Sequence, residues 1–395
     1  MKLYKIITVI VLIIITKTSL AQITNVRMYA FGHSLIDHAT GNENTTIMYW
    51  INDIAQEANK TYATGGQYGF LTTHNNLPPA SNWGYSSVAS VWDDTQETFA
   101  QADINTILLT AANFIQYEAP NMPHPLDNNT TVIQATETIF DWVNQQESNV
   151  RYYIYANWPE MDLQNEYPPT TPLQSEIDDF HNVTTSTFTD WWKTYQDGVL
   201  TSRPQLKTRL IPVGMIISKI LRDVIPTQIP FNMLYEDSAP HGRATIYFLA
   251  GMITYMAVYE ENIPNTYMPD STVHTTITNN LTTIRSFIWS ELNSFKLPNG
   301  DSRVFYNTTL AEEDVTLESK TVLLFPNPTK EKFKVKGISS HNIKIIDMLG
   351  KVYETYNNLK TVEFMDVSKL SKGIYFVQIQ DLKNNKKYIK KLIKK

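Results

Sequence analysis

The chain has no cysteine among its 395 residues. That absence excludes disulfides, thiolate metal sites and a cysteine nucleophile, so stability outside the cytoplasm must come from packing alone. Long hydrophobic runs are also missing. The most apolar stretch, Ile6 to Ile15, follows Lys2 and Lys5 and precedes Ser19-Leu20-Ala21, the pattern of a signal peptide over residues 1–21, with the mature chain starting near Gln22. Such a run is too short to span a bilayer, and no later segment does better, so no integral membrane segment is expected. Basic residues are scarce in the body. From Gln22 to Lys320 there are 14 against 33 acidic residues, a balance of −19. A surface of that sign repels polyphosphate, so nucleic acid is not an expected partner.

Apolar material is plentiful. Hydrophobic residues make up 42% of the chain and aromatics 12%, enough for a sizeable core, and the length predicts two or three domains. In the body, short apolar segments at Val26 to Phe31, Thr106 to Thr110, Val150 to Tyr155 and Leu210 to Val213 alternate with helical stripes. Ile47, Trp50, Ile51, Ile54 and Ala58 form one stripe, Val132, Ala135, Ile139 and Val143 another, and Phe180, Phe188, Trp191 and Tyr195 a third. This alternation predicts an α/β body, a parallel sheet covered by helices on both faces in three α/β/α layers. The body is expected to span residues 22–297, because Leu297-Pro298-Asn299-Gly300-Asp301 breaks the last helix and a polar, acidic linker follows over 298–320.

The last 75 residues differ in composition. Residues 321–395 hold 16 lysines against six acidic residues, and their apolar residues alternate with polar ones in short segments. This predicts a small all-β sandwich. The order Leu323-Leu324-Phe325-Pro326-Asn327-Pro328, then Ile343 to Lys351, then Lys372 to Ile379, ending in a lysine-rich tail, resembles the type A C-terminal sorting domain of the type IX secretion system of Bacteroidetes. The resemblance implies passage through the periplasm to the cell surface or medium, with the type IX machinery as partner. An ordinary carbohydrate-binding sandwich would more often show exposed aromatics than lysines.

Four short blocks carry the chemistry of the body. Gly32-His33-Ser34-Leu35 follows the first apolar segment and leaves a serine at a strand end. A serine hydroxyl becomes a nucleophile once a base takes its proton and donors hold the oxyanion that follows. Ala63-Thr64-Gly65-Gly66-Gln67 offers a glycine for close backbone approach, and Thr110-Ala111-Ala112-Asn113 an amide donor just after a strand. Glu236-Asp237-Ser238-Ala239-Pro240-His241-Gly242 offers acid and base immediately before an apolar helical run. In this order the blocks resemble the SGNH (GDSL-type) hydrolase superfamily. The resemblance implies Ser34 as nucleophile, His241 as base, Asp237 as its orienting acid, and Ser34 N–H, Gly66 N–H and Asn113 as oxyanion donors.

Departures from the family pattern are specific. His33 stands where the family has Asp, Ala111-Ala112-Asn113-Phe114 replaces Gly-x-Asn-Asp, and Asp237 precedes His241 by four residues instead of three. Asp237, Glu236 or a serine–histidine dyad therefore remain alternatives for orienting the base, as do Gly65 and Gly66 for the hole. Each residue also has an ordinary structural reading: a turn or cap for Ser34 and Asn113, a turn for the glycine pair, a loop for His241. His33, Asp37 and His38 contain metal-ligating types but lack the helical or multi-strand spacing of a catalytic zinc site. No metal or cofactor is expected. Trp83, Tyr85, Trp92 and Trp158 are candidates to rim the crevice as sugar-stacking surfaces, or to pack in the core. Export together with the resemblance predicts a serine esterase acting on O-acylated, most simply O-acetylated, glycans. The alternatives are a catalytically silent glycan-binding surface protein and a lipase or acyltransferase of the same fold.

Overall fold

The computed structural model describes residues 22–38, 43–111, 118–124, 127–306, 322–337, 340–347, 351–360, 363–383 and 387–395. The expected signal peptide and most of the expected linker lie outside them. The chain divides into two compact units, Met1–Thr308 and Thr309–Lys395. The first unit reaches further than the composition suggests. Ser302, Arg303, Val304 and Phe305 are all buried, and Arg303 passes its carbonyl to the N–H of Leu210 at 2.7 Å. The guanidinium of Arg303 lies against Asp197 and Gln196, so residues 298–306 belong to the body and not to a linker. Polarity misleads here because that arginine is buried against the amide of Gln196 and neutralised by the half-exposed Asp197.

Six parallel strands form the sheet of the first unit. They are β1 (Asn25–Gly32), β2 (Thr61–Tyr68), β3 (Ala89–Ser90), β4 (Thr106–Leu109), β5 (Arg151–Tyr155) and β6 (Arg209–Ile211), in the spatial order β3-β2-β1-β4-β5-β6. Strands buried on both faces read as near-continuous apolar runs, and β1 and β4 do so. The segment Ala63 to Gln67, expected to bring a glycine to the oxyanion and otherwise read as a turn, is the middle of β2. Pro212 and Val213, expected to extend β6, begin a helix.

The chain runs outward from β1 to β2 and then returns to the other side of β1 as β4. The pair β1/β4 is thus a topological switch point, beyond whose carboxyl ends an open α/β sheet leaves a crevice. The right-handed rule for parallel crossovers assigns α1 (Ile47–Glu57), which joins β1 to β2, and α2 (Val132–Gln146), which joins β4 to β5 on the other side of β1, to opposite faces. The third apolar stripe divides between α3 (Gln174–Thr185) and α4 (Thr187–Ser202), which break at Ser186. After β6 come α5 (Val213–Lys219), α6 (Ala244–Tyr259) and α7 (Leu281–Ser294). Helix α1 packs on α6, and α2 on α4. Every residue of α6 is buried, as an apolar sequence on all sides requires. Burial fixes α6 firmly, and the loop carrying His241 enters it.

The strand ladders of the second unit are antiparallel. One sheet has the order β11 (Met365–Asp366), β8 (Lys332–Lys336), β7 (Leu323–Phe325); the other β10 (Val352–Lys360), β9 (Ser340–Ile346), β12 (Gly373–Asp381), β13 (Lys387–Lys394). Their inward residues, among them Leu324, Phe333 and Val335 from one sheet and Ile343, Ile345, Val377 and Leu392 from the other, share one core.

Candidate active site

Ser34 sits in a tight turn directly beyond β1, closed by the N–H of Ile36 on the carbonyl of His33 at 2.9 Å. Three buried side chains hold this turn. Tyr247, from the first turns of α6, donates to the Ser34 carbonyl at 2.5 Å, and Tyr155, at the end of β5, donates to that of Leu35 at 3.3 Å. The third is His33. Its Nδ1 accepts the Leu35 N–H at 3.3 Å, so Nε2 carries the proton and donates to the carbonyl of Ala111 at 2.6 Å. Burial pushes this imidazole down to about 4; the Ala111 carbonyl opposes the shift and His241 adds to it. A neutral imidazole thus ties the Ser34 turn to the end of β4.

The loop with His241 is closed at its base. Tyr235 bridges Gly242, and the N–H of Glu236 donates to the carbonyl of His241 at 2.8 Å. Trp158 Nε1 anchors it from outside, on the carbonyl of Pro240 at 2.9 Å. Within the loop Asp237 Oδ1 accepts the N–H groups of Ala239 and His241 at 3.0 and 2.9 Å, while Oδ2 lies 2.7 Å from His241 Nδ1. The four-residue spacing is accommodated by that turn, which gathers backbone and ring onto one carboxylate. Partial burial raises the Asp237 carboxyl, but the hydrogen bonds from the His241 ring and from the two backbone N–H groups outweigh it and hold the group below the usual carboxylate range.

His241 Nε2 lies 2.8 Å from Ser34 Oγ, across 207 residues of sequence. With Nδ1 donating to the carboxylate, Nε2 is left as an acceptor for the serine proton. Acid, imidazole and hydroxyl thus form a continuous hydrogen-bonded line at the switch point.

Beside that line stands a second one. His38 stacks on His241 with ring centroids 3.9 Å apart and planes 11° from parallel, and its Nε2 lies 3.1 Å from Glu236 Oε2. Glu236, one of the alternatives for orienting His241, therefore contacts the neighbouring imidazole, and Asp237 contacts His241 itself. Nothing in the sequence pattern singles out this stack; adjacent carboxylates at 236 and 237 are its one trace.

The remaining expected residues fall elsewhere. Gly66 is not beside Ser34: it pairs with Ala30 in mid-strand, and a Cβ on it would lie 2.2 Å from the Ala30 carbonyl oxygen. Its missing side chain lets β2 approach β1, not a substrate. The glycine at the end of β2 is Gly69, with φ +154° and its N–H on the Gly32 carbonyl at 2.8 Å. Asn113 lies outside the described residues. His33, Asp37 and His38 do not converge: His33 binds Ala111, Asp37 accepts Trp83 Nε1 at 2.9 Å, and His38 meets Glu236. Trp83, Tyr85, Trp92 and Trp158 are between 1% and 8% exposed and belong to the core. Among the described residues, Tyr68 and Phe70 are open aromatics at this end, 50% and 40% exposed. Tyr68 pairs with Gly32 across the sheet and meets Trp83 edge-on at 5.3 Å, while Phe70 lies 5.8 Å from the His33 ring. They follow the glycine-rich half of β2, whose reading as a turn hid them.

Residues 323–395 match the family of secretion system C-terminal sorting domains. The protein is accordingly one that the type IX system carries to the cell surface or beyond it. Among characterised relatives, an endo-acting ulvan lyase of Formosa agariphila is 30% identical over 121 residues, 28% of this chain and 23% of the lyase. The chain thus spans under a quarter of that relative's length. Among solved structures, the type IX surface component PorZ of Porphyromonas gingivalis aligns with 19% of this chain and 11% of its own at 17% identity, with a TM-score of 0.17.

Proposed function

We propose that the first unit is a secreted serine esterase of SGNH type that removes O-acyl groups, most simply O-acetyl, from extracellular glycans. The observation that carries this reading is the line Asp237–His241–Ser34, at 2.7 and 2.8 Å. His241 takes the Ser34 proton as Oγ attacks the acyl carbon, and Asp237 holds the tautomer and stabilises the imidazolium. Collapse of the tetrahedral adduct breaks the bond to the sugar oxygen, which leaves with the proton from His241. Water, deprotonated by the same nitrogen, then attacks the acyl-serine and releases carboxylate and free Ser34. Donation from the Ser34 N–H to the oxyanion follows from the family resemblance.

A glycan substrate draws support from export and from Tyr68 and Phe70, exposed rings beside the nucleophile suited to stacking on pyranose faces. The decisive test is a fluorophosphonate label with acetate release from acetylated polysaccharides. Ser34→Ala should abolish labelling and cut turnover by several orders of magnitude while leaving the fold intact, and Asp237→Asn should cost on the order of 10⁴ in kcat. Equal activity in Ser34→Ala would refute the reading. No turnover in the wild type, with retained glycan binding, would make the body a binding protein.

A further inference from the structure

We propose that His38 and Glu236 are a positioning pair, a second histidine–carboxylate unit stacked on the first, which fixes the tilt of the His241 ring and shares the charge that ring acquires. This rests on the reading of His241 as the base for Ser34.

The argument starts from what the two in-plane bonds of His241 leave free. Hydrogen bonds at Nδ1 and Nε2 lie in the ring plane, so they restrain tilting of the ring out of that plane only softly. One of the two bonds, to Ser34, is also lost once the hydroxyl has given up its proton. A flat neighbour at 3.9 Å and 11° blocks that tilting through contact over a whole face. The neighbour is itself immobilised. Its backbone N–H donates to the Thr45 carbonyl at 3.0 Å, its carbonyl accepts from the Thr45 hydroxyl, and its Nε2 meets Glu236.

Glu236 is tied down in turn. Its N–H donates to the His241 carbonyl, and Arg243 Nη1 lies 3.4 Å from its Oε1. Arg243 precedes α6, with Nε on the Asn232 carbonyl at 2.7 Å, and also faces Glu43, whose Oε2 accepts the Ala244 N–H at 3.0 Å. The buried helix therefore holds both the base and the ring that backs it. Charge follows the same geometry. When His241 becomes imidazolium, its face lies over an aromatic ring whose own nitrogen is against a carboxylate, with Asp237 at its edge, an arrangement that favours the cation.

The test uses the secreted enzyme with His38→Ala, His38→Phe, His38→Gln and Glu236→Gln. Two readouts are taken: kcat and KM for p-nitrophenyl acetate, and the low-field proton NMR signal of His241 Nδ1–H in the substrate-free protein. His38→Ala should lower kcat about 10- to 100-fold, as small misplacements of a reacting group do, with KM nearly unchanged. His38→Phe should recover most of the loss, His38→Gln should not, and Glu236→Gln should fall between. The NMR signal should broaden in the Ala and Gln variants and persist in Phe. Unchanged kcat and an unchanged signal in His38→Ala would overturn the proposal, as would rescue by Gln and not Phe. Should His38→Ala fail to fold, Phe against Gln decides. If the esterase reading itself fails, hydrolysis will be indifferent to Ser34→Ala, and the NMR comparison still decides whether His38 orients His241.

Discussion

At Gly66 a single methyl group separates two explanations of the same residue. An oxyanion donor is replaced by alanine with a loss of turnover and little loss of stability. A contact between strand backbones behaves the other way, because a Cβ there would lie 2.2 Å from a carbonyl oxygen that cannot give way. Gly66→Ala should therefore destabilise the body by roughly 1–3 kcal/mol or more, the usual cost of overpacking, with kcat of the surviving folded fraction near wild type. Urea unfolding alongside turnover per labelled Ser34 checks this; a stable, slow variant would restore Gly66 to the site. His33 shows how one residue type does another's work. An imidazole with one nitrogen accepting and the other donating spans from the Leu35 N–H to the Ala111 carbonyl, whereas a carboxylate at that position accepts only.

At the scale of elements, the end of β2 defines the rim next to the Ser34 turn. Tyr68 leaves the sheet in register with Gly32, and Phe70 follows Gly69, so two open rings flank the turn that starts at His33. Replacing both with alanine should raise KM for acetylated oligosaccharides about 30-fold, since each stacking contact contributes on the order of 1 kcal/mol and 1.4 kcal/mol is about a factor of ten. Hydrolysis of p-nitrophenyl acetate, which has no sugar ring to stack, should barely change. A parallel loss on both substrates would mean that the pair supports the Ser34 turn. Trp83, Tyr85, Trp92 and Trp158, buried in the core, illustrate the reverse case. Trp83 and Trp158 spend their ring N–H groups on Asp37 and Pro240, bracing the loops of the site from beneath.

The whole body is built to be acid-sensitive. His33, His74 and His181 are buried, and burial pushes them down to about 4, about 3 and about 4 from the ordinary 6.5; His33 further lowers His74, and Arg222 further lowers His181. Below pH 6.5 the unfolded chain binds protons that the folded chain refuses, so stability falls with pH by about 1.4 kcal/mol per unit for each group, down to about pH 4. Asp237, held below its usual range, adds to the loss at the acid end. Urea midpoints between pH 7 and 4.5 should drop steadily, and His74→Phe should flatten the curve; a pH-independent midpoint would refute the assignment. The second unit has its own core and opposite charge, so deleting residues 321–395 should leave ester hydrolysis by purified body intact. In the native host the same deletion should retain the protein in the periplasm, and its appearance on the surface would contradict the sorting role.

How much of this was legible before folding depends on the range of the interaction. Local chemistry wrote the lysine-rich tail, the apolar strands and the helical stripes, because each rests on neighbours within a few residues. Ser34, Asp237 and His241 were legible as candidates from short blocks in a fixed order. The strand character of Gly65-Gly66, the burial of Arg303 and the tryptophans, and the pairing of Glu236 with His38 were not. Each of these depends on a backbone or ring supplied from tens to hundreds of residues away. By itself the sequence determined the elements, the export route and the chemical groups available. Only the tertiary structure decided which carboxylate faces which imidazole and which aromatics stay open, since contact between distant residues is a property of the sheet order and of the buried helix that carries His241.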